Sequence, residues 1–259
     1  MAELGLMCLM ALEDWQPFDE QTLRLALEDL PQPVSARITA HPAGEEESAL
    51  AITVDRQDFV AVVMHGPIPE PDFSQAIDGS VFWPVAADKM AGHNAFMALT
   101  AETTEDTPGL VRAQSVAMTR LAAALCETLP VMGVCWRSAE AAVPPSKLRR
   151  AVDQIAQGTW PVDMWIGYDV HYGTGEKSEQ IGAFTRGAQD YLGCEVEIAP
   201  MPVQPEVPLR ILSSTVSQLI DTGMYLRDGQ EVTIKGVSHS RWKIAAGTTG
   251  RARITPAGR

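Results

Sequence analysis

The chain predicts an α+β fold, a mixed and largely antiparallel sheet with helices packed on it, and two ferredoxin-like βαβ units are one arrangement that satisfies the pattern. Three observations predict it. Apolar runs of strand length at 50–54 and 59–64, joined across Asp55-Arg56-Gln57-Asp58, form a hairpin in the N-terminal third. From Pro108 to Ile198, helix-period and strand-period patterns alternate. A hydrophobic content of 46% against 20% charged residues supplies a core without a disulfide or metal staple.

Taken in order, the apolar run 4–12 has the length of a buried strand and is broken at Trp15 to Pro17. Asp19 caps a helix to about residue 30, with Leu23, Ala26, Leu27 and Leu30 on one face and Pro31 and Pro33 as its stop. Residues 34–40 read as a strand, followed by a polar loop with Gly44 and then the hairpin. A Pro-Ile-Pro stop and a short helix lead to Trp83-Pro84 and a strand at 94–100. Pro108 opens the strongest helix, to about 129, in which Leu110, Val111, Val116, Ala117, Leu121, Ala124 and Leu125 recur at helical spacing. Residues 131–136 form a strand, and Pro144-Pro145-Ser146 starts a helix that Gly158 ends. Beyond it the pattern gives a strand at 162–170, a helix at 179–192, a strand at 194–198, a helix at 209–226, a turn at Asp228-Gly229 and a hairpin of 231–235 with 242–246. With no Pro/Ser/Gly-rich linker before Pro200, residues 1–247 read as a single integrated domain, with 1–105 and 106–247 as its subdivisions. Residues 248–259 read as a flexible tail.

Formal net charge is −13. That sets nucleic acid and anionic membranes aside as partners, because phosphate contacts need Lys and Arg, and it suits a basic protein partner. Cys8, Cys126, Cys135 and Cys194 form no CxxC pair, and the first three sit in apolar runs. They read as reduced thiols of a cytoplasmic protein. The opening MAELGLMCLMAL has no Lys or Arg and is too short for a span, so it reads as a strand and not as a signal peptide.

Several short motifs together suggest a family. They are Pro67-Ile68-Pro69, Trp83-Pro84, His93-Asn94-Ala95, the helix 108–129 and Cys135-Trp136, followed by Trp165-Ile166-Gly167, Thr185-Arg186-Gly187 and Glu195-Val196-Glu197. On these the chain resembles the bacterial family catalogued as domain of unknown function 4261, over nearly its full length. The resemblance implies an α+β bacterial protein without an assigned activity. Where the family's strand motif has a second histidine, this chain has Phe96, so no role that needs both imidazoles carries over.

His93, Asp169 and His171 are the candidates for chemistry. An imidazole titrates near neutrality and serves as base or ligand. Asp169 and His171 lie two residues apart on a strand, so they share a face and could form a carboxylate-oriented imidazole. The structural alternatives are a histidine bonded to backbone at a strand edge, and a plain turn and helix cap after Tyr172. The loop at 173–178 has one G-x-G and no G-K-[ST], a weak phosphate signal. No H-x-x-H, H-E-x-x-H or G-x-S-x-G occurs, so neither a cofactor nor a metal is expected. Cys135 in an apolar run reads as an inert thiol. For interaction, the acidic run Glu45, Glu46 and Glu47 and the Pro-flanked Trp83 and Trp160 are the candidates, against a solvated loop and ordinary packing.

The expected function is therefore that of a non-enzymatic cytoplasmic protein-binding module. Its specific form would be an immunity or accessory protein of a toxin or secretion locus. The competing expectation is a small-ligand-binding protein or hydrolase-like enzyme with its site around His93 and Asp169/His171. A structural subunit of an assembly is a third.

Overall fold

The structure is a computed structural model that describes residues 6–32, 34, 36–41, 47–102, 107–174, 178–223, 231–233, 241–246 and 251–256. The chain divides into two compact units, Met1–Pro161 and Val162–Arg259. The α+β expectation holds in each. The division falls at 161/162, and each unit closes its own sheet.

The first unit is built on β1 (Met7–Leu12), α1 (Glu20–Glu28), β2 (Ala36–His41), β3 (Glu47–Val54), β4 (Gln57–His65), α2 (Asp72–Asp78), α3 (Ala86–Met90), β5 (Ala95–Ala101), α4 (Pro108–Thr128), β6 (Val131–Trp136), β7 (Ala141–Val143) and α5 (Pro145–Ala156). Its strands form one sheet in the order β2-β3-β4-β5-β1-β6-β7. Every neighbouring pair is antiparallel. Three strands stand between β1 and β2, where a ferredoxin-like unit places one, so the sheet is not of that type.

Alternation along β1 sends Cys8, Met10 and Leu12 to one face and Leu9 and Ala11 to the other, and all five are buried. The long helix α4 covers the first face with Ala117, Met118, Leu121, Ala124 and Leu125. It lies between α1 and α5. Asp19 caps α1 by accepting from the Gln21 N–H at 3.1 Å and from the Thr22 hydroxyl, which holds its carboxyl below the usual range. The β3–β4 hairpin closes on two residues, Asp55 and Arg56, both with positive φ (52° and 65°), the two-residue turn whose twist matches paired strands. Neither residue is a glycine, so an outside contact helps hold the turn. Arg120 of α4, largely buried, donates to Asp55 Oδ2 at 2.6 Å and also bonds Gln32.

On the other face, α2 and α3 lie over the β6–β7 end. Leu9, Ala11, Phe96, Cys135 and Ala142 from the sheet meet Ile68, Ala76, Ala86 and Met90 there, with Trp83 packed against the cluster. Gly133 permits this approach. A Cβ at that position would lie 2.6 Å from Met90 Sδ and 3.1 Å from the Trp83 ring. The strand β7 completes the edge, tied in by the Ala142 N–H donating to Ser80 Oγ at 2.8 Å.

The second unit contains α6 (Val162–Trp165), β8 (Gly167–Tyr172), β9 (Ile181–Arg186), α7 (Gln189–Leu192), β10 (Val196–Met201), α8 (Glu206–Thr222), β11 (Glu231–Thr233), β12 (Arg241–Ala246) and β13 (Ala252–Pro256). Its sheet runs β11-β12-β13-β10-β9-β8 and is antiparallel except for β10 with β13. The predicted helix at 179–192 is instead the strand β9 followed by one helical turn. The predicted strand at 162–170 opens with a helical turn of its own. The predicted tail contains β13, whose Ile254 is fully buried opposite Ile198. Helix α8 starts three residues earlier than expected because Pro208 sits in its first turn, where no intrahelical N–H is required. The turn at Asp228-Gly229 lies outside the described residues.

Strand alternation divides this sheet sharply. Tyr168, Ala183, Thr185, Val196, Ile198, Ala252 and Ile254 are buried on one face. Helix α8 packs over β8, β9 and β10 with Ile211, Leu212, Val216 and Leu219. Asp169, His171, Phe184, Arg186, Glu197, Arg251 and Arg253 occupy the opposite face by register.

Candidate functional site

The sequence candidates fall into different units, His93 in the first and Asp169 with His171 in the second. His93 is buried between α3 and β5 with both ring nitrogens engaged by backbone. Nδ1 is 2.8 Å from the Met90 carbonyl oxygen, and Nε2 is 2.8 Å from the Ile68 N–H. An N–H can only donate to Nε2, so Nδ1 carries the proton and donates to Met90. The ring also packs on Phe73 with centroids 4.9 Å apart. This imidazole pins the Pro67–Pro69 segment to the end of α3, and no nitrogen is left to take a substrate proton.

Phe96 has its register partners in Met64 and Ala11 and lies in the buried cluster. Cys135 shares that cluster, and burial pushes its thiol up to about 12. Burial also raises the thiols of Cys8 and Cys126. All four cysteines are free, and none of these three thiols has the low pKa a nucleophile needs.

Next to the pinned segment is an exposed apolar turn. Phe82 is 49% and Val85 46% exposed, with Trp83 half-buried between them, its ring anchored against Met90 and Gly133. Lys147 places its ammonium 5.6 Å from the Phe82 ring centroid. The same segment exposes Glu70, Asp78, Asp88 and Lys89, while Asp72 pairs with Arg137 at 3.5 Å. Trp160 is half-buried, with the Arg112 guanidinium 5.4 Å from its ring centroid. Glu45 and Glu46 lie outside the described residues, and Glu47 opens β3. Cavities are also found among the described residues of this unit. One, of about 180 Å³, has Ala26, Leu30, Ala123 and Val152 in its wall, and a wider one of about 910 Å³ lies beside Arg37, Asp55 and Arg56. Neither is lined by a residue singled out from the sequence.

The second unit brings Asp169 and His171 to one face, as their spacing predicts, but not to each other. Arg186 takes the carboxylate of Asp169 with Nε 3.1 Å from Oδ2 and Nη2 3.3 Å from Oδ1. The His171 Nδ1 is buried and has no hydrogen-bond partner among the described residues. The imidazole lies across Gly182, where a Cβ would come within 2.6 Å of Nε2. Burial lowers its pKa; Glu197 opposes that shift, and Arg251 and Arg253 reinforce it. One row of the sheet reads Arg253, Glu197, Phe184, Asp169. Glu197 is only 6% exposed and is neutralised by Arg253 at 2.6 Å.

Sequence reasoning missed the role of Glu195. Its carboxylate accepts from the Gly187 N–H at 2.8 Å and from Ala188 at 3.3 Å, and it holds the Thr185 hydroxyl at 2.5 Å. That hydroxyl also accepts from the Val196 N–H at 2.8 Å. The Thr185-Arg186-Gly187 and Glu195-Val196-Glu197 motifs are thus one hydrogen-bonded corner. The signal in the sequence was the pairing of a Gly-containing turn with an acidic strand about ten residues on.

Among the described residues no group of three or more His, Cys, Asp or Glu side chains is placed to hold a metal ion. No described helix is long and apolar enough to cross a membrane. Fold and surface together define an α+β protein of two units, one with an exposed apolar turn and one with a charged sheet face. No family model, curated protein or solved structure matches this chain.

Proposed function

We propose that this chain is a protein-binding module whose first unit captures a basic partner at the turn carrying Phe82, Trp83 and Val85. The observation that carries the reading is the exposed apolar turn set among carboxylates, in a unit with 22 acidic and 10 basic side chains. An apolar centre with a charged surround is the usual anatomy of a protein interface, and a field of one sign steers a partner of the other. The resemblance to domain of unknown function 4261 is compatible with this, since it brings no assigned activity. We place the protein in the cytoplasm, a setting that its four free thiols support. An immunity or accessory role beside a toxin or secretion gene is the specific form of the proposal, and the genes flanking its own test that form.

The test is capture from native extract with the full chain and with Phe82→Ser/Val85→Asp. The reading expects one stoichiometric basic protein, released by salt and lost with the double variant. Equal capture by both forms, or nothing above background, overturns it. A second reading, a small-ligand site in the second unit, is favoured by the buried and unpartnered His171 Nδ1.

A further inference from the structure

Among the described side chains of β8, β9, β10 and residues 251–256, the polar face of the second sheet carries three arginines against two carboxylates. Asp169 takes Arg186 and Glu197 takes Arg253, each within 3.1 Å. Arg251 remains, and among the described residues it has no carboxylate partner. Its guanidinium carbon lies 4.0 Å from the centroid of Phe184. A guanidinium resting on a ring face keeps its N–H groups available to an acceptor, in a fork that fits two oxygens at once.

His171 approaches the same ring, with centroids 5.9 Å apart. It is brought there by Gly182, because any side chain at that position would collide with the imidazole and with the Ile198 carbonyl oxygen, each 2.6 Å from the added Cβ. Its Nδ1 is buried and unpartnered among the described residues, an arrangement that costs free energy unless something outside the protein satisfies it. An excess cation and an unsatisfied ring nitrogen therefore meet at one aromatic platform.

We propose that Arg251 and His171, gathered on Phe184, form a binding site for a small oxyanion, a phosphate or a carboxylate group. Arg251 supplies the charge and the two-pronged contact, and the partly exposed His171 ring supplies a second donor. Glu197 does not defeat the site, since Arg253 neutralises it at 2.6 Å. The groups acting on His171 are Glu197, Arg251 and Arg253. A bound anion favours the protonated ring, so it raises the pKa of His171. This site is in the second unit and does not depend on the protein-binding surface proposed for the first.

The experiment is a titration of the isotope-labelled full chain with inorganic phosphate and, in a separate arm, with acetate, at constant ionic strength. It follows the Arg251 Nε–H and the His171 ring signals by NMR. At least one anion is expected to shift both saturably, in the millimolar range, and the stronger arm identifies the oxyanion. Arg251→Gln weakens binding by about tenfold or more and Arg251→Lys by less, because lysine keeps the charge and loses the fork. Arg24→Gln, which removes an exposed pair in the first unit, leaves binding unchanged. The proposal is overturned if neither anion moves both sets of signals saturably in the wild-type chain. Equal affinity in a folded Arg251→Gln variant overturns it as well.

Discussion

In the first unit 22 acidic side chains face 10 basic ones, a net −12, whereas the second holds 11 and 10, a net −1. Nearly all of the chain's negative charge therefore lies on one side of residue 161. The first unit keeps both sheet faces for packing, with α4 over one and α2–α3 over part of the other. The buried His93 and Ser80 are tied to backbone. The second unit packs one face under α8 and leaves the other to arginines, carboxylates and an imidazole. The difference teaches that acidity and chemistry are separate here. Surplus charge sits where the core is most conventional, and near-neutrality comes from matched charges held against one another on a sheet.

The two histidines provide the largest test of this contrast. His93→Ala strands the Ile68 N–H and the Met90 carbonyl in the interior and should cost about 2–5 kcal/mol by denaturant unfolding. His171→Ala removes no hydrogen bond made by the described residues and should cost about 1 kcal/mol or less. Equal losses would erase the distinction between a structural and an available imidazole.

The glycines come next. Gly182→Ala forces a methyl against the Ile198 carbonyl as well as the His171 ring, and a backbone atom in a sheet has little room to move. It should cost about 3 kcal/mol. Gly133→Ala meets chiefly the flexible thioether of Met90 and should cost nearer 1 kcal/mol, with a shift in Trp83 fluorescence as its ring is displaced. A larger loss at Gly133 would mean that the α2–α3 layer is the more rigid of the two contacts.

The smallest effect is in pH. His171 has a folded pKa below its ordinary value of 6.5 because burial penalises the charged ring. The unfolded chain then binds the proton more readily, so stability is full above about 6.5 and falls as pH drops from there through the folded value. His171→Gln should flatten that part of the stability curve. A wild-type curve that instead rises on acidification across this window would place the imidazole in a different environment.

Much of the first unit is legible without coordinates. Helix α4 and strand β6 match their expected limits to within a residue, because a 21-residue apolar face bounded by Pro108 and Pro130 has few alternatives. The second unit was harder to read. The 179–192 segment reads as a helix although it contains Gly182 and Gly187, yet Gly182 is small so that an imidazole can lie over it. The pairing of Asp169 and His171 on one face was readable from their spacing. That Arg186 would take the carboxylate was not, since the ion pair spans two strands. For His93 the residue was visible and its two backbone partners, three and 25 residues away, were not.

Local pattern alone determined most helices and strands of the first unit, α3 and β7 excepted, and that Cys8 and Cys135 lie among apolar residues. These depend on neighbours within a turn or a hairpin, where periodicity and proline placement decide the backbone. Tertiary structure alone decided the boundary at 161/162, the recruitment of 252–256 into a sheet, and the pairing of Asp169 with Arg186 and of Glu197 with Arg253. Strand β13 pairs with β10 across more than fifty residues, Val196 opposite Ala252, and a contact at that separation leaves no periodic trace. It exists because an exposed sheet edge and a short apolar strand lower their free energy by pairing, and only the folded chain brings them within reach.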